Sequence, residues 1–471
     1  MKRYTTIALA LSTVVAAACK DNAVTNPVDN PTVDALAGAL TRTSLQTLVT
    51  GVTGQDRAGF ATTTVLILSE IFARDAYRID TSEPRYVNET LGGQPDPGSF
   101  AGSGGWTNFY VATRAANNII LAIPSASGIE FTNAEKSAAL GFLRTLKALD
   151  YYRVVEMRDT IGIALQTDDP SEVTAIRCKT AVLTYIAALL DSANADFTAA
   201  GGTTTVPFTL PAGYTTFGRD YSLVSNLVRL NRGLKGKVDL YRVLDHQNPA
   251  PALAATAVTE LTQALGGVAA GAVPASDFTR GPYYGFVPGG SENFANLISD
   301  DKIGLHPLLR DSVQIGDTRG TKIVNRAAVL TGQGLSTALT YSKAVPTAAN
   351  QANPIGILRD EELVLLRAQA NVEAGNLAAA LLDVNSVRTS YGLLPIAVFA
   401  DKTSAIDAIL YEKRFSLLFE GPQRLVDLRA YSRLSQTYFR QEFPTDPYNK
   451  AFPIPKAEAD ARGGTAPACT P

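Results

Sequence analysis

The chain has 471 residues, and its 42 Lys and Arg against 44 Asp and Glu leave a net charge of −2, so its charge gives no reason to expect nucleic acid or an anionic membrane surface as a partner. Only 18% of residues are charged while 46% are hydrophobic, which suffices to bury a large core and excludes disorder over most of the length. Two histidines in the whole chain argue against multi-histidine metal chemistry and His-dependent catalysis.

Lys2 and Arg3, an apolar run from Ile7 to Ala18, and the small residues Ala16, Ala17 and Ala18 read as a secretory signal over 1–18, too short to span a membrane. Cys19 stands directly after the expected cut, the place of the lipid-carrying cysteine in a bacterial lipoprotein. Plain secretion is the alternative, because Ala-x-Ala also suits the ordinary signal peptidase and Ala16 occupies a position where Leu is usual. Residues 19–33 are polar, Pro-interrupted and aperiodic, as a flexible tether should be, which leaves 34–471 as a single folded body. Cys178 and Cys469 are permitted to pair in an oxidising compartment, but sequence leaves open whether they meet.

Helix signals dominate this body. Helices are predicted over 107–123, closed by Pro124, and from the Thr132/Glu135 capping box to Met157, where Ala139, Phe142, Leu143, Leu146 and Leu149 form one buried face. Further helices are predicted over 171–197, 219–244 and 251–265. Two stretches, 78–104 and 270–355, are rich in Gly, Pro, Ser, Thr and Asn and read as loop insertions with a few short strands. Helical order returns over 358–374 and 377–388 around a Gly375-Asn376 turn, then over 405–419 up to Gly421-Pro422, and onward to Leu434. The fold class is mainly α: a tetratricopeptide-like helical-repeat body with loop-rich insertions, an ordinary helical bundle being the other reading.

Five segments together resemble the SusD/RagB family of surface lipoproteins. The strongest is YEKRFSLLFEGPQRLVDLRAYSRL at 411–434, where Glu412, Lys413, Arg414, Leu417, Phe419, Glu420, Gly421, Arg424, Asp427, Leu428 and Arg429 follow the family's late signature. Ser416 departs from it, standing where an acid is common, and the stretch from Gly421 to Asp427 is one residue longer. Residues 358–393, with Glu362, Ala368, Ala370, Asn385, Arg388 and Gly392, match the preceding helix pair. FPIPKAEADAR at 452–462, 106–123 and 142–157 match in order as well. The resemblance implies a SusD-like helical body and a non-enzymatic role. Such a protein captures a glycan or peptide at the outer membrane, facing outward on its lipid, and delivers it to a SusC-like TonB-dependent barrel.

The residues themselves offer no catalytic constellation. His246 and His306 are isolated, no HExxH or G-x-S-x-G is present, and TGQG at 331–334 lacks the lysine of a phosphate loop. Asp168-Asp169 and Asp300-Asp301 lack a calcium-loop pattern, so no metal, cofactor or catalytic residue is expected. Glu412 and Glu420 are available as a glycosidase pair, but alternating acids and bases around the Gly421 corner favour ion pairs and a scaffold role. A sugar site wants aromatic rings beside amides, Arg and carboxylates, because pyranoses present apolar C–H faces between hydroxyls. Three groups qualify: Arg74, Asp75 and Tyr77, near Arg85 and Tyr86; Trp106 with Asn108; and Tyr283, Tyr284 and Phe286 between glycines. Trp106 and Tyr77 also suit the interior. The tyrosine pair is preferred, on the expectation that such a loop does not bury two adjacent rings. A single Trp argues for soluble oligosaccharide or peptide rather than a flat crystalline polysaccharide. The rivals are a secreted helical glycoside hydrolase and a helical-repeat scaffold that binds only proteins.

Overall fold

In the computed structural model, each long helix packs on the one that follows it in the chain. The structure describes residues 40–127, 129–289, 294–466 and 468–471, so the signal segment, Cys19 and the tether lie outside the described residues. Ten helices of eight residues or more are present among them. They are α1 (Arg42–Phe60), α2 (Thr107–Ala122), α3 (Asn133–Arg158), α4 (Lys179–Ala200), α5 (Val224–Val243), α6 (Ala254–Ala264), α7 (Asp360–Glu373), α8 (Leu377–Ser390), α9 (Lys402–Ser416) and α10 (Gln423–Ala430). Helix α6 packs directly on α7 although a long insertion separates them, so the solenoid closes over that insertion without a break. No described helix is long and apolar enough to cross a membrane.

Capping boxes mark the starts of α1, α3 and α9. The Thr132 side chain accepts from the Glu135 N–H at 3.2 Å while Glu135 accepts from the Thr132 N–H at 2.9 Å, which satisfies two donors that the first turn of α3 would otherwise leave open. Helix α4 begins at Lys179, eight residues later than expected, because Ile176–Arg177 (β3) pairs antiparallel with Ile163–Ala164 (β2). Cys178 is bonded to Cys469, with Cα atoms 4.9 Å apart. Its N–H donates to the Thr470 carbonyl, and the Thr470 N–H to the Ile176 carbonyl, so the last residues are laced to the entrance of α4.

Helix α1 was not anticipated: its Thr- and Gly-rich sequence is a weak helix former, and the buried stripe Leu45, Val49, Val52, Asp56 and Phe60 supplies the order instead. The β-branched run after it winds as a π-helix over Thr64–Leu68, wholly buried.

Besides the β2–β3 pair, the insertions take part in three two-stranded antiparallel sheets among the described residues. Ala76–Arg78 (β1) pairs with Ile303–Leu305 (β5), and Tyr283–Tyr284 (β4) pairs with Ile355–Gly356 (β8). Ile323–Gly332 (β6) and Leu335–Tyr341 (β7) form a hairpin bulged between Asn325 and Leu330. One hydrophobic cluster takes in residues from Leu40 to Ile454. A smaller one, including Val372, Val384, Phe399 and Ile409, lies among α7, α8 and α9.

Helix crossings demand small residues. A Cβ on Gly141 of α3 would lie 2.5 Å from the ring of Phe197 on α4. Gly54 of α1, by contrast, has nothing within 4 Å of its Cβ position. Gly141→Ala should therefore lower stability by about 1–3 kcal/mol through overpacking. Gly54→Ala should raise it by up to ~1 kcal/mol through helix propensity alone. Urea titration of the two variants checks the opposite signs.

Candidate ligand-binding site

A polar cavity of about 220 Å³ opens where the end of α9, the start of α7, the β6–β7 hairpin and the β4–β8 pair converge. Its floor follows from how α9 stops. The chain turns through Phe419 (φ +59°) and Gly421 (φ +116°), and Phe419 is held in that sparsely populated conformation by stacking on Tyr341, centroids 5.0 Å apart, and by donating its N–H to Glu70 Oε1. The turn leaves the last carbonyls of α9 without helical partners. Lys322 Nζ donates to those of Phe415 (2.6 Å) and Ser416 (2.9 Å), and Arg359 Nη2 also reaches Ser416 (2.9 Å). Cations thus gather at the negative end of the helix dipole.

Arg359 also organises the acids. Its Nε and Nη2 donate to Glu420 Oε2 and Oε1 at 2.6 and 3.0 Å, and its Nη1 donates to Glu361 Oε2. Ser416 Oγ donates to the other Glu361 oxygen. Burial alone would raise the Glu361 carboxyl, but Arg359, Ser416 and Lys322 outweigh it and hold it below its ordinary value. Arg359 thus engages both carboxylates of the cavity. Around this floor stand Tyr283, Tyr341 and Tyr391, the amides of Asn296 and Asn353, and Lys343 at the rim.

Of the eight residues singled out from sequence, Tyr283 alone lines this cavity. Its ring stacks on Phe217, centroids 4.1 Å apart, and its hydroxyl donates to the Thr279 carbonyl. Strand alternation sends the next side chain the other way. Tyr284 is buried against Phe60 at 4.6 Å and donates to Asp56 Oδ1 at 2.8 Å. The expectation that adjacent rings would stay exposed is thereby corrected: the strand alternation of β4 sends one ring to Phe217 and the other to Phe60 of α1. Phe286 is buried and stacks on Phe294.

Arg74, Asp75 and Tyr77 are also corrected, since all three are interior. Arg74 pairs with Asp446, Asp75 with Arg414 and Arg424, and Tyr77 donates to Glu442, which also bonds His306. Trp106 lies in the core against Tyr110, with Asn108 half-buried on α2 and outside the cavity. Glu412 does not line the cavity either: it is enclosed by Arg319 and Arg388, and Arg319 links it to Ser416 at the cavity floor.

The residues that do meet at the cavity, Lys322, Tyr341, Arg359, Glu361 and Tyr391, come from four separated stretches. Arg359, Glu361 and Tyr391 lay within 358–393, one of the segments that carried the family resemblance. Among the described residues no group of His, Cys, Asp and Glu is arranged to hold a metal.

Behind Tyr284, two carboxyls face each other in the core. Only Tyr284 donates to either Asp56 or Asp150 among the described residues, so a proton must lie between them. Burial, eased partly by Arg153 and Arg57, pushes Asp56 up to about 6; burial and then the Asp56 charge push Asp150 well above its usual range.

Neither a known family model nor a curated protein sequence matches the chain. Solved structures do. A laminarin-binding SusD-like protein superposes with a TM-score of 0.62 at 18% identity, covering 88% of this chain and 97% of that one. A SusD superfamily protein from Bacteroides fragilis gives 0.66 at 16% identity, covering 92% and 100%. The chain has the SusD fold. Surface glycan-binding protein A from Bacteroides thetaiotaomicron shares it as well, with a TM-score of 0.61 at 12% identity over 88% and 97% of the two chains.

Two predictions follow from the buried charges. Arg359→Met strands Glu361 and Glu420 and should cost about 3–5 kcal/mol in denaturant titration, with part restored by adding Glu361→Gln. The Asp56–Asp150 pair has folded pKa values above the ~4 of an unfolded aspartate, so its stabilisation is complete below that pH and is lost as pH rises through about 6. Asp150→Asn should flatten this decline and exceed the parent by about 1–3 kcal/mol at alkaline pH. An unchanged slope between the two proteins would refute the shared proton.

Proposed function

We propose that this protein is a non-enzymatic, lipid-anchored binding component of an outer-membrane nutrient importer. It captures oligosaccharide at the cell surface and passes it to a SusC-like TonB-dependent transporter. The observation that carries the reading is the polar, tyrosine-walled cavity within a SusD fold. Pyranose C–H faces suit the rings of Tyr283, Tyr341 and Tyr391, and hydroxyls suit the amides of Asn296 and Asn353 and the Arg359–Glu420 pair. The space is smaller than the ~300 Å³ at which drug-sized ligand pockets begin, so it takes one sugar ring of a longer chain.

The named glycan ligands of two structural neighbours support sugar over peptide. Both acids at the cavity are tied to Arg359, which speaks against the hydrolase reading. Cys19 would carry the lipid and residues 19–33 the tether, with 34–471 as the binding body facing the exterior.

Calorimetry against a panel including laminarin and xyloglucan oligosaccharides tests the site. Tyr391→Ala and Tyr283→Ala should each weaken binding about tenfold, or ~1.4 kcal/mol, while circular dichroism stays unchanged. Full-strength binding by both variants would remove the cavity from consideration. For the partner, affinity purification of the tagged, full-length protein from gently solubilised membranes should bring down a TonB-dependent barrel in equal amount. Recovery of an unlipidated, soluble protein alone would sink the importer reading.

A further inference from the structure

The cavity carries more positive charge than its own acids can match. Three cations face it, Lys322, Lys343 and Arg359, against two carboxylates, Glu361 and Glu420. Both carboxylates are taken up by Arg359, and one oxygen of Glu361 also by Ser416. The Lys322 ammonium gives two of its three N–H groups to the Phe415 and Ser416 carbonyls. Among the described residues no carboxylate lies within ion-pair distance of it, nor of Lys343, which is exposed at the rim.

The carbonyl dipoles ease the cost of desolvating the Lys322 charge, but they do not cancel it. Burial lowers its amine to about 8, with the neighbouring carboxylates opposing that shift, so the amine is still mainly protonated at neutral pH. An ammonium kept on a cavity wall with one donor unspent is a site waiting for an anion. A partly buried cation with no carboxylate in direct contact costs free energy in the empty protein, and a bound carboxylate would recover part of it through a charge-assisted hydrogen bond.

We propose that the ligand is an acidic glycan, a uronate-bearing oligosaccharide whose carboxylate sits between Lys322 and Lys343 while its ring meets the tyrosines. This rests on the cavity being the sugar site. The inference sets the ligand class apart from neutral glucans. A neutral ring would leave the Lys322 charge unanswered, whereas the carboxylate of a uronic acid projects from the ring edge and reaches a lysine without giving up the stacking face.

The test is calorimetry on the full mature chain with a panel of uronate oligosaccharides, each measured beside its neutral counterpart of equal length. At least one uronate should bind about tenfold tighter than its neutral counterpart. That preference should shrink as salt rises from ~50 to ~500 mM, because part of the attraction is screened. Lys322→Met should abolish the preference and Lys322→Arg keep it. Lys343→Met, at the exposed rim where folding is not at stake, should reduce it. Equal or tighter binding of the neutral sugars, still lost in Tyr391→Ala, would overturn the acidic ligand and leave the sugar site standing. Failure of every sugar to bind would overturn both.

Discussion

Asp75 is wholly buried between Arg414 and Arg424, at 2.5 and 2.9 Å, and much of the structure is arranged to keep such charges paired. An ion taken out of water without a partner costs several kcal/mol, so each interior acid recruits a cation, whatever its distance along the chain. Glu412 holds Arg319 and Arg388, Glu362 holds Lys237, Asp427 holds Lys413, and Glu420 holds Arg359. The segment from Glu412 to Asp427 is therefore a hub from which α5, α7, α8, the β6–β7 hairpin and the strand after α1 are all held in register. Where the nearby cations are committed elsewhere, as Arg414 and Arg424 are to Asp75, the acid gives way instead: burial and then the Asp75 charge push Glu70 up to about 8, and it accepts the N–H of Phe419 at the strained corner.

The cavity is a by-product of that hub. Ending α9 at Ser416 exposes carbonyls that Lys322 and Arg359 answer, and bringing two long cations to one helix end prevents the surrounding loops from closing down on it. The aromatic residues then supply rigid walls, because a helix end lined with charges cannot be filled by aliphatic packing without leaving polar groups unsatisfied. The residues that fasten the fold and those that line the cavity are consequently shared, and Arg359 belongs to both sets.

Much of the helical body was legible because its signals are local. Thr132 and Glu135 lie three residues apart and mark the start of α3, and the Gly375-Asn376 turn marks the α7–α8 hairpin. The quoted residues that carried the family resemblance are mostly fasteners. The Asn385 side chain both donates to and accepts from the Ile396 backbone, and Arg388 reaches Glu412. What stayed illegible depends on distant pairing. The late start of α4 comes from a strand pair and a disulfide to the far end of the chain, and helix α1 from burial overriding weak propensity. The burial of Tyr284 needed Phe60 and Asp56, more than two hundred residues away. Lys322 and Tyr341 have no local pattern to betray them, since a loop-rich stretch has no period in which a single residue stands out.

A site of this kind differs from the exposed aromatic loop that composition first suggests. Tyr283 rests on Phe217 and Tyr341 on Phe419, each ring braced from behind by a second ring. A braced ring has already lost its rotamer freedom on folding, so a ligand that packs on it does not bear that cost again. Solvent-exposed tyrosines on a glycine-rich loop would have to be ordered at every binding event, at about 0.5–1.5 kcal/mol per side chain. Pairing β4 with β8 therefore accomplishes two things at once: it buries Tyr284 to anchor the strand, and it presents Tyr283 as a fixed wall. The same strand that refuted the floppy-loop expectation is what makes a preorganised sugar platform physically reasonable here.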